Sequence, residues 1–213
     1  MNKKIILDLC SGTGSWSKPY QENDDYSVIQ ITLPDYDVRT YKPPENVYGI
    51  LAAPPCTMFS FTRTRANKPR DLKEGMECVR ACLDIIWSIM EIKQETRFKK
   101  CPLQFWALEN PYHGFLRKFL GKPAFTFDPW EFGDGYQKRT AIWGHFNEPI
   151  KTPIPMTDEV RKSLKGNKVM NTIKFDYLKS KDIAPEMFGK LTRQERRAIT
   201  PQGFAKAFFD SNK

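Results

Sequence analysis

The chain has 213 residues, of which 40% are hydrophobic and 28% charged, a balance typical of a globular protein and not of a disordered one. The formal net charge of +9 favours an anionic partner, most simply nucleic acid. No apolar run in the sequence is long enough to span a bilayer. The five cysteines, an odd number in a chain without an export signal, predict reduced thiols and a cytoplasmic location.

Strands and helices alternate over the first two thirds of the chain. Apolar runs that stop at turn signals predict strands over residues 3–9, 26–31, 47–53, 105–108 and 141–144. A short helix is expected before Asn23 and another over 113–120. A long helix begins after Asp71, an N-cap with Glu74 three residues on, and its apolar face continues to about residue 97. This order predicts an α/β fold with a doubly wound, mainly parallel sheet.

The character of the chain changes after residue 147. Residues 148–198 are richer in lysine and proline and have weak periodicity, so we predict a small appended module there. A final helix is expected from about Pro201, because proline suits the first position of a helix. The chain therefore divides into regions 1–147, 148–198 and 199–213. With only two histidines and no Cys-x-x-Cys pair, no metal site is expected.

Three motifs follow predicted strands, where α/β sheets bind their ligands. The first, "DLCSGTG", has Gly12 and Gly14, which let the backbone approach a nucleotide-like ligand, although a plain tight turn is equally compatible. In the second, "PPCTMFS", two prolines stiffen the end of the strand and hold Cys56 next to the ligand crevice. Cys56 is then either a nucleophile or a thiol that packs in the core.

The third motif is "ALENP". Its Glu109 could protonate or hydrogen-bond a ring nitrogen if burial raises its pKa. The alternative is a solvated Glu109 beside Asn110 acting as a helix cap.

Together the three motifs, in this order and with "QKRTAIWG" after them, resemble the DNA cytosine-5 methyltransferases, in a compact form like those of bacteriophages. The resemblance covers about residues 3–147 and implies a Rossmann-like methyltransferase fold. It implies that Cys56 attacks carbon 6 of a flipped-out cytosine, that Glu109 interacts with ring nitrogen 3, and that Arg139 lines the base pocket. The 148–198 segment would then be the target-recognition module, with 199–213 as a helix that packs back on the catalytic domain.

The resemblance also implies S-adenosyl-L-methionine as the cofactor and double-stranded DNA as the partner of a monomer. The cofactor-binding residues carried over from the motifs are Asp8, Cys10, Ser11, Gly12, Thr13, Gly14, Thr32, Asp37, Val38 and Pro55. The DNA-binding residues expected from the loop after Cys56 and from the "QKRT" motif are Ser60, Arg63, Arg65, Lys68 and Gln137, and Arg70 is a further candidate phosphate contact.

The chain departs from the family pattern at several positions. Thr32 stands where an acidic ribose-binding residue is usual, Cys10 where phenylalanine is common, and Ala141 where a second arginine would contact the cytosine. The short 148–198 module leaves little room for reading base edges, so we expect short or relaxed sequence specificity, or a partner that supplies it. Rival interpretations are an amino-methyltransferase, a non-catalytic DNA- or cofactor-binding relic, and the same chemistry on RNA or a nucleotide.

Overall fold

The computed structural model describes residues 3–61, 63, 68–91, 103–155, 157–158 and 188–213. Six strands form its sheet: β1 Lys4–Leu9, β2 Tyr26–Ile31, β3 Val47–Ala52, β4 Phe105–Pro111, β5 Phe125–Phe127 and β6 Thr140–His145. Five α-helices accompany them in the described ranges: α1 Lys18–Gln21, α2 Leu72–Glu91, α3 Leu116–Leu120, α4 Arg193–Ala198 and α5 Gln202–Ser211. A 3₁₀ helix covers Pro129–Phe132.

The strand order is β2-β1-β3-β4-β6-β5. The ladders between β1, β2, β3 and β4 are parallel, whereas β6 runs antiparallel to both β4 and β5. The predicted mainly parallel α/β fold is therefore confirmed. The direction of β6 was not predicted from sequence, because the antiparallel return depends on the path of the chain between β4 and β6.

Apolar side chains cover both faces of the sheet, as a doubly wound arrangement requires. On one face, the core includes Leu7 and Ile50 and packs against α2, which contributes Val79, Cys82 and Ile86. Cys82 thus packs as a buried apolar residue.

The opposite face carries an aromatic core that joins α1 and α5 to the sheet. Ile6 and Phe105 supply the strand side of this core, and the rings of Phe204 and Phe208 supply the helix side. The ring of Trp16, directly after the glycine-rich turn, lies 5.5 Å edge-on to Phe208. The C-terminal helix therefore packs beside the loop that follows β1.

Helix α5 is fixed at both of its ends. At its start, the N–H of Gly203 donates a 3.1 Å hydrogen bond to the carboxylate of Asp134, and a Cβ on Gly203 would stand 1.8 Å from the carbonyl oxygen of Phe132. At its end, the side chain of Asn212 accepts a 2.8 Å hydrogen bond from the backbone of Asn147.

Several observed elements differ from the predicted ones. Strand β5, the 3₁₀ helix and α4 were not predicted, and the long helix is described as far as Glu91, with the predicted extension to about residue 97 outside the described residues. Most of the predicted 148–198 module also lies outside them. Within the described part of the chain, no helix is long and apolar enough to cross a bilayer.

Candidate active site

The carboxyl ends of three neighbouring strands meet at one edge of the sheet. Leu9, Ala52 and Leu108 lie in one row across β1, β3 and β4. The next residues along each strand therefore open onto the same edge, with the glycine-rich turn after β1, the Pro-Cys turn after β3 and Glu109 on β4. This is where ligands bind in open α/β sheets.

The turn that holds Cys56 is closed by its own backbone. The carbonyl of Cys56 accepts 2.9 Å hydrogen bonds from the N–H groups of both Phe59 and Ser60. Phe59 is completely buried below the turn. Pro54 and Pro55 fix the approach to Cys56, as the sequence predicts, because neither has a free backbone φ.

The thiol of Cys56 is half-buried and lies within the electrostatic field of several charged groups. Burial raises its pKa, and the neighbouring carboxyl of Glu109 raises it further. Lys138 and, to a smaller extent, Arg197 act in the opposite direction by stabilising the thiolate. In the structure as it stands, therefore, the protonated thiol is favoured over the thiolate.

Glu109 lies on β4 and is half-buried. Burial raises the pKa of its carboxyl, and Lys138 partly offsets the effect. It keeps its proton to a higher pH than an exposed glutamate does.

Asn110 connects the two motifs. Its side chain is buried, and its amide donates a 3.0 Å hydrogen bond to the carbonyl of Pro54. Asn110 is therefore part of strand β4 and does not cap a helix. Because the bond joins the residue after Glu109 to a residue two before Cys56, it fixes the spacing between the thiol and the carboxyl. The second polar atom of the amide, Oδ1, is buried with no partner among the described residues.

Lys138 is a residue of this site that the sequence did not single out. Glu109 pairs with Ile142 across the β4–β6 ladder, so their side chains share one face. Lys138 lies two residues before the start of β6 at Thr140. Its ammonium acts on both Cys56 and Glu109. In the sequence, Lys138 could have been noticed by its place in the "QKRT" motif. That place alone does not show that Lys138 lies near Cys56 and Glu109.

Arg139, predicted to line the base pocket, lies among polar side chains of residues 126–131. Its guanidinium donates a 2.8 Å hydrogen bond to Thr126 and lies 3.4 Å from carboxylate oxygens of both Asp128 and Glu131. Ala141 is buried in the core on the α2 face of the sheet. The side chain of Gln137 is exposed.

The turn after β1 has the backbone of a ligand-binding loop. Cys10, Gly12 and Gly14 all have positive φ, at 58°, 54° and 67°. Cys10 donates a 2.8 Å hydrogen bond to the carbonyl of Ile31, which holds the turn against the end of β2. No atom lies within 4 Å of the position that a Cβ on Gly12 would occupy, so the turn faces open space.

Some polar groups of this turn are hydrogen-bonded within the protein, and others have no partner among the described residues. Asp8 is buried beneath it and accepts a 2.6 Å hydrogen bond from the hydroxyl of Ser17. Burial raises the pKa of Asp8 to about 7. The hydroxyl of Ser15 accepts a 2.8 Å bond from Thr200. The hydroxyl oxygen of Ser11, in contrast, is buried and has no partner among the described residues. Ser11, Gly12 and Thr13 thus leave polar atoms and space that fit a bound cofactor.

The second predicted cofactor segment follows β2. Thr32 and Asp37 are half-buried and Val38 is buried. The carboxylate of Asp37 accepts hydrogen bonds of 2.9 and 3.1 Å from Nε of Arg39, which lowers the pKa of Asp37 to about 2. Asp37 is therefore ionised and paired with Arg39.

The predicted DNA-binding residues have mixed surroundings. Arg63 donates a 2.6 Å hydrogen bond to the carbonyl of Lys68, whose ammonium lies 2.7 Å from Glu74. Ser60 forms an isolated β-bridge with Gly114. Arg65 lies outside the described residues.

Arg70, the further candidate for a phosphate contact, is bonded to the backbone of the protein itself. Its guanidinium donates to the backbone carbonyls of Met58 and Ser60 and is partly buried.

No group of three or more histidine, cysteine or acidic side chains is placed to hold a metal ion within the described ranges. The four cysteines of that part of the chain, Cys10, Cys56, Cys78 and Cys82, are free thiols.

Comparisons with known proteins relate the chain to methyltransferases. No family model matches the sequence. The chain is 28% identical over 160 residues to the "Probable DNA (cytosine-5)-methyltransferase" of Frog virus 3 (isolate Goorha), a match that covers 65% of this chain and 69% of the viral protein. Among solved structures, it is similar to the Entamoeba histolytica methyltransferase EhMeth with a TM-score of 0.41 and 8% identity, over 74% of this chain and 58% of that one. The chain thus spans less than two thirds of that structure's length.

The predicted resemblance is confirmed by this sequence match to a viral protein named as a probable DNA (cytosine-5)-methyltransferase.

Proposed function

We propose that this chain transfers a methyl group from S-adenosyl-L-methionine to carbon 5 of cytosine in DNA, by way of a covalent adduct on Cys56. One observation carries the proposal. Strands β3 and β4 bring a thiol and a half-buried carboxyl to the same edge of the sheet, where the carboxyl acts on the pKa of the thiol and Asn110 fixes their spacing. The name of the viral relative supports the same activity.

Cys56 supplies the nucleophile. Carbon 5 of cytosine is too weakly nucleophilic to accept a methyl group directly, but addition of a thiolate to carbon 6 gives it enamine character. Cys56 loses its proton to water and forms the sulfur–carbon bond. Lys138 is the first of the two cations that favour the thiolate here, so we assign it the role of opposing the effect of burial.

Glu109 acts as the acid. Addition at carbon 6 places negative charge on ring nitrogen 3 of the cytosine, and a protonated carboxyl beside that nitrogen can donate a hydrogen bond or its proton. Burial raises the pKa of Glu109, which extends the pH range over which the carboxyl keeps that proton.

The cofactor would be held by Ser11, Gly12 and Thr13 of the turn after β1, with Asp37 and Val38 at the adenine end and Pro55 beside the reacting centre. When bound, S-adenosyl-L-methionine supplies an electrophilic methyl group on its sulfonium sulfur. After carbon 5 is methylated, its hydrogen leaves as a proton. The electron pair of that C–H bond restores the ring double bond and expels Cys56 as a thiolate.

The substrate base must leave the helix, because neither face of its carbon 6 is accessible to a side chain inside a stacked duplex. We propose that Ser60, Arg63, Arg65, Lys68 and Gln137 hold the DNA around the extruded base. The net charge of +9 favours such a polyanionic partner.

Methyl transfer with identified products tests this function. The protein is incubated with methyl-labelled cofactor and duplex DNA, and the digested nucleosides are separated by mass spectrometry. We expect 5-methylcytosine as the labelled product. Cys56→Ala lowers the rate by roughly a thousandfold or more, and Glu109→Gln by about a hundredfold. Cys78→Ser, a half-buried thiol on α2, leaves the rate unchanged.

Two results would refute the assignment. One is label on a base nitrogen, which would indicate an amino-methyltransferase. The other is transfer to carbon 5 that survives Cys56→Ala. A parallel incubation with RNA of the same sequence distinguishes the two nucleic acids as substrates.

A further inference from the structure

The turn after Cys56 is held from outside by one side chain. The two terminal nitrogens of Arg70 donate to the carbonyls of Met58 and Ser60, the latter at 3.0 Å. These carbonyls are two and four residues beyond the nucleophile. One guanidinium thus spans the turn. Its planar fork of N–H groups makes this possible, and lysine has no such fork.

The same side chain also contacts the segment that follows Glu109. The guanidinium carbon of Arg70 lies 5.0 Å above the ring of Phe115, and Phe61 meets that ring edge-on at 4.9 Å. Stacking of this kind is favourable for arginine over an aromatic face. Arg70 therefore joins the nucleophile turn to residues 111–116 through a shared aromatic contact.

The backbone repeats this connection between the two segments. The N–H of Phe115 donates a 3.0 Å hydrogen bond to the carbonyl of Phe59, and the N–H of Phe61 donates to the carbonyl of His113 at 3.2 Å. Gly114 faces the same carbonyl of Phe59, at 3.0 Å from the position of a Cβ. The two segments thus form one small unit, and Arg70 closes its open side.

We propose that Arg70 is a positioning residue that locks the Cys56 turn to the segment after Glu109, so that thiol and carboxyl stay at a fixed separation. The proposal rests on the function proposed above. It assigns Arg70 to the protein's own backbone, although its charge and its place in a basic loop suggest a phosphate contact. Two of its N–H groups are bonded to carbonyls and one face lies over Phe115, so the protein itself orients the guanidinium.

Steady-state kinetics of two substitutions separate these roles. In Arg70→Met the turn loses both hydrogen bonds, and we expect kcat to fall by roughly ten- to a hundredfold because small misplacements of reacting groups are costly, with KM for DNA within about threefold. Arg70→Lys keeps the charge but cannot span both carbonyls, so we expect its kcat to fall nearly as far as that of Arg70→Met. Arg80→Met removes an exposed α2 cation that pairs with Asp84 and serves as the control, with unchanged kcat.

A phosphate contact would give the opposite pattern. KM for DNA would rise with kcat unchanged, Arg70→Lys would restore most of the affinity, and the slope of log affinity against log salt would fall by about one. That pattern would overturn the proposal.

A second readout does not depend on methylation. The rate of alkylation of Cys56 by iodoacetamide is measured by peptide mass spectrometry in the wild type, Arg70→Met and Arg80→Met, with the thermal midpoint checking that each protein is folded. We expect faster alkylation in Arg70→Met alone, because a loosened turn exposes the half-buried thiol. An unchanged rate in a folded Arg70→Met would contradict the positioning role. If the wild type transfers no methyl group but the alkylation difference is present, the proposed function fails and the positioning role stands.

Discussion

The carboxyl of Glu109 favours the neutral form of the Cys56 thiol. Burial raises the pKa of both groups, and the charge of Glu109 adds to the effect on the thiol. Lys138 is the residue that opposes both shifts. The reaction needs a thiolate at Cys56 and a proton on Glu109, so the raised pKa of the carboxyl suits its role, whereas the raised pKa of the thiol must be offset, and Lys138 acts in that direction.

Removing Lys138 therefore has a defined effect on titration. In Lys138→Met the pKa of Cys56 rises further, because the cation that stabilises the thiolate is gone. The pH profile of Cys56 alkylation, measured by peptide mass spectrometry, moves to higher pH. Lys151→Met is the control, since Lys151 pairs with Glu131 at 2.7 Å. A profile that stays in place or moves to lower pH would show that Lys138 does not act on the thiol.

Asp8 makes stability depend on pH. Its folded-state pKa is about 7, whereas an unfolded aspartate titrates near about 3.9. Between these values the folded state binds more protons than the unfolded state, so the free energy of unfolding falls as pH rises through this window. The full effect has an upper limit of about 4 kcal/mol.

Asp8→Asn removes this titration but keeps an oxygen for the hydroxyl of Ser17. In urea unfolding at pH 5 and pH 8, we expect the stability of Asp8→Asn relative to the wild type to increase at the higher pH. Asp24→Asn, an exposed aspartate, gives the baseline. A difference that does not grow with pH would mean that Asp8 is ionised in the folded protein.

At the scale of elements, the glycine at the start of α5 sets how closely this helix approaches the corner at 128–134. In Gly203→Ala the new methyl group would meet the backbone oxygen of Phe132, which cannot rotate away as a side chain can. We expect a loss of about 2 kcal/mol or more in urea unfolding. Lys206→Ala, exposed on the same helix, loses at most about 0.5 kcal/mol. Equal stability of the two variants would show that the helix can shift without cost.

The elements that were predicted are those with long, regular apolar patterns. Strands β1 to β4 and the start of helix α2 fall within a few residues of their predicted bounds, because each carries its own buried face. Strand β5 has only three residues, Phe125–Phe127, too few to show a period. Its partner β6 was found, but its direction depends on pairing with β4.

In the candidate site, too, local sequence patterns were predictive and long-range contacts were not. Cys56 and Glu109 were identified from sequence because each follows or ends a recognisable strand. Asn110 was open to two interpretations, since its partner, the carbonyl of Pro54, is 56 residues away. Arg70 looked like a phosphate contact because composition cannot distinguish a cation that faces solvent from one that binds its own backbone.

For the whole molecule, the proposed substrate and the short 148–198 segment lead to an expectation about specificity. A segment of this length leaves little surface for reading base edges in the major groove. Bisulfite sequencing of a random-sequence duplex pool treated with the isolated protein should show methylation in a short or relaxed context. A single long, strictly read sequence would contradict this expectation.

A covalent bond between Cys56 and cytosine is the step on which the proposed function depends, and this bond can be trapped. Duplex DNA that carries 5-fluorocytosine is incubated with the protein and labelled S-adenosyl-L-methionine. After methylation, fluorine at carbon 5 cannot leave as a proton does, so elimination is blocked and the adduct persists on a denaturing gel. The account predicts an adduct that maps to the Cys56 peptide, is absent in Cys56→Ser and is retained in Cys78→Ser. A protein that methylates ordinary cytosine at carbon 5 but forms no adduct with the fluorinated base would contradict it.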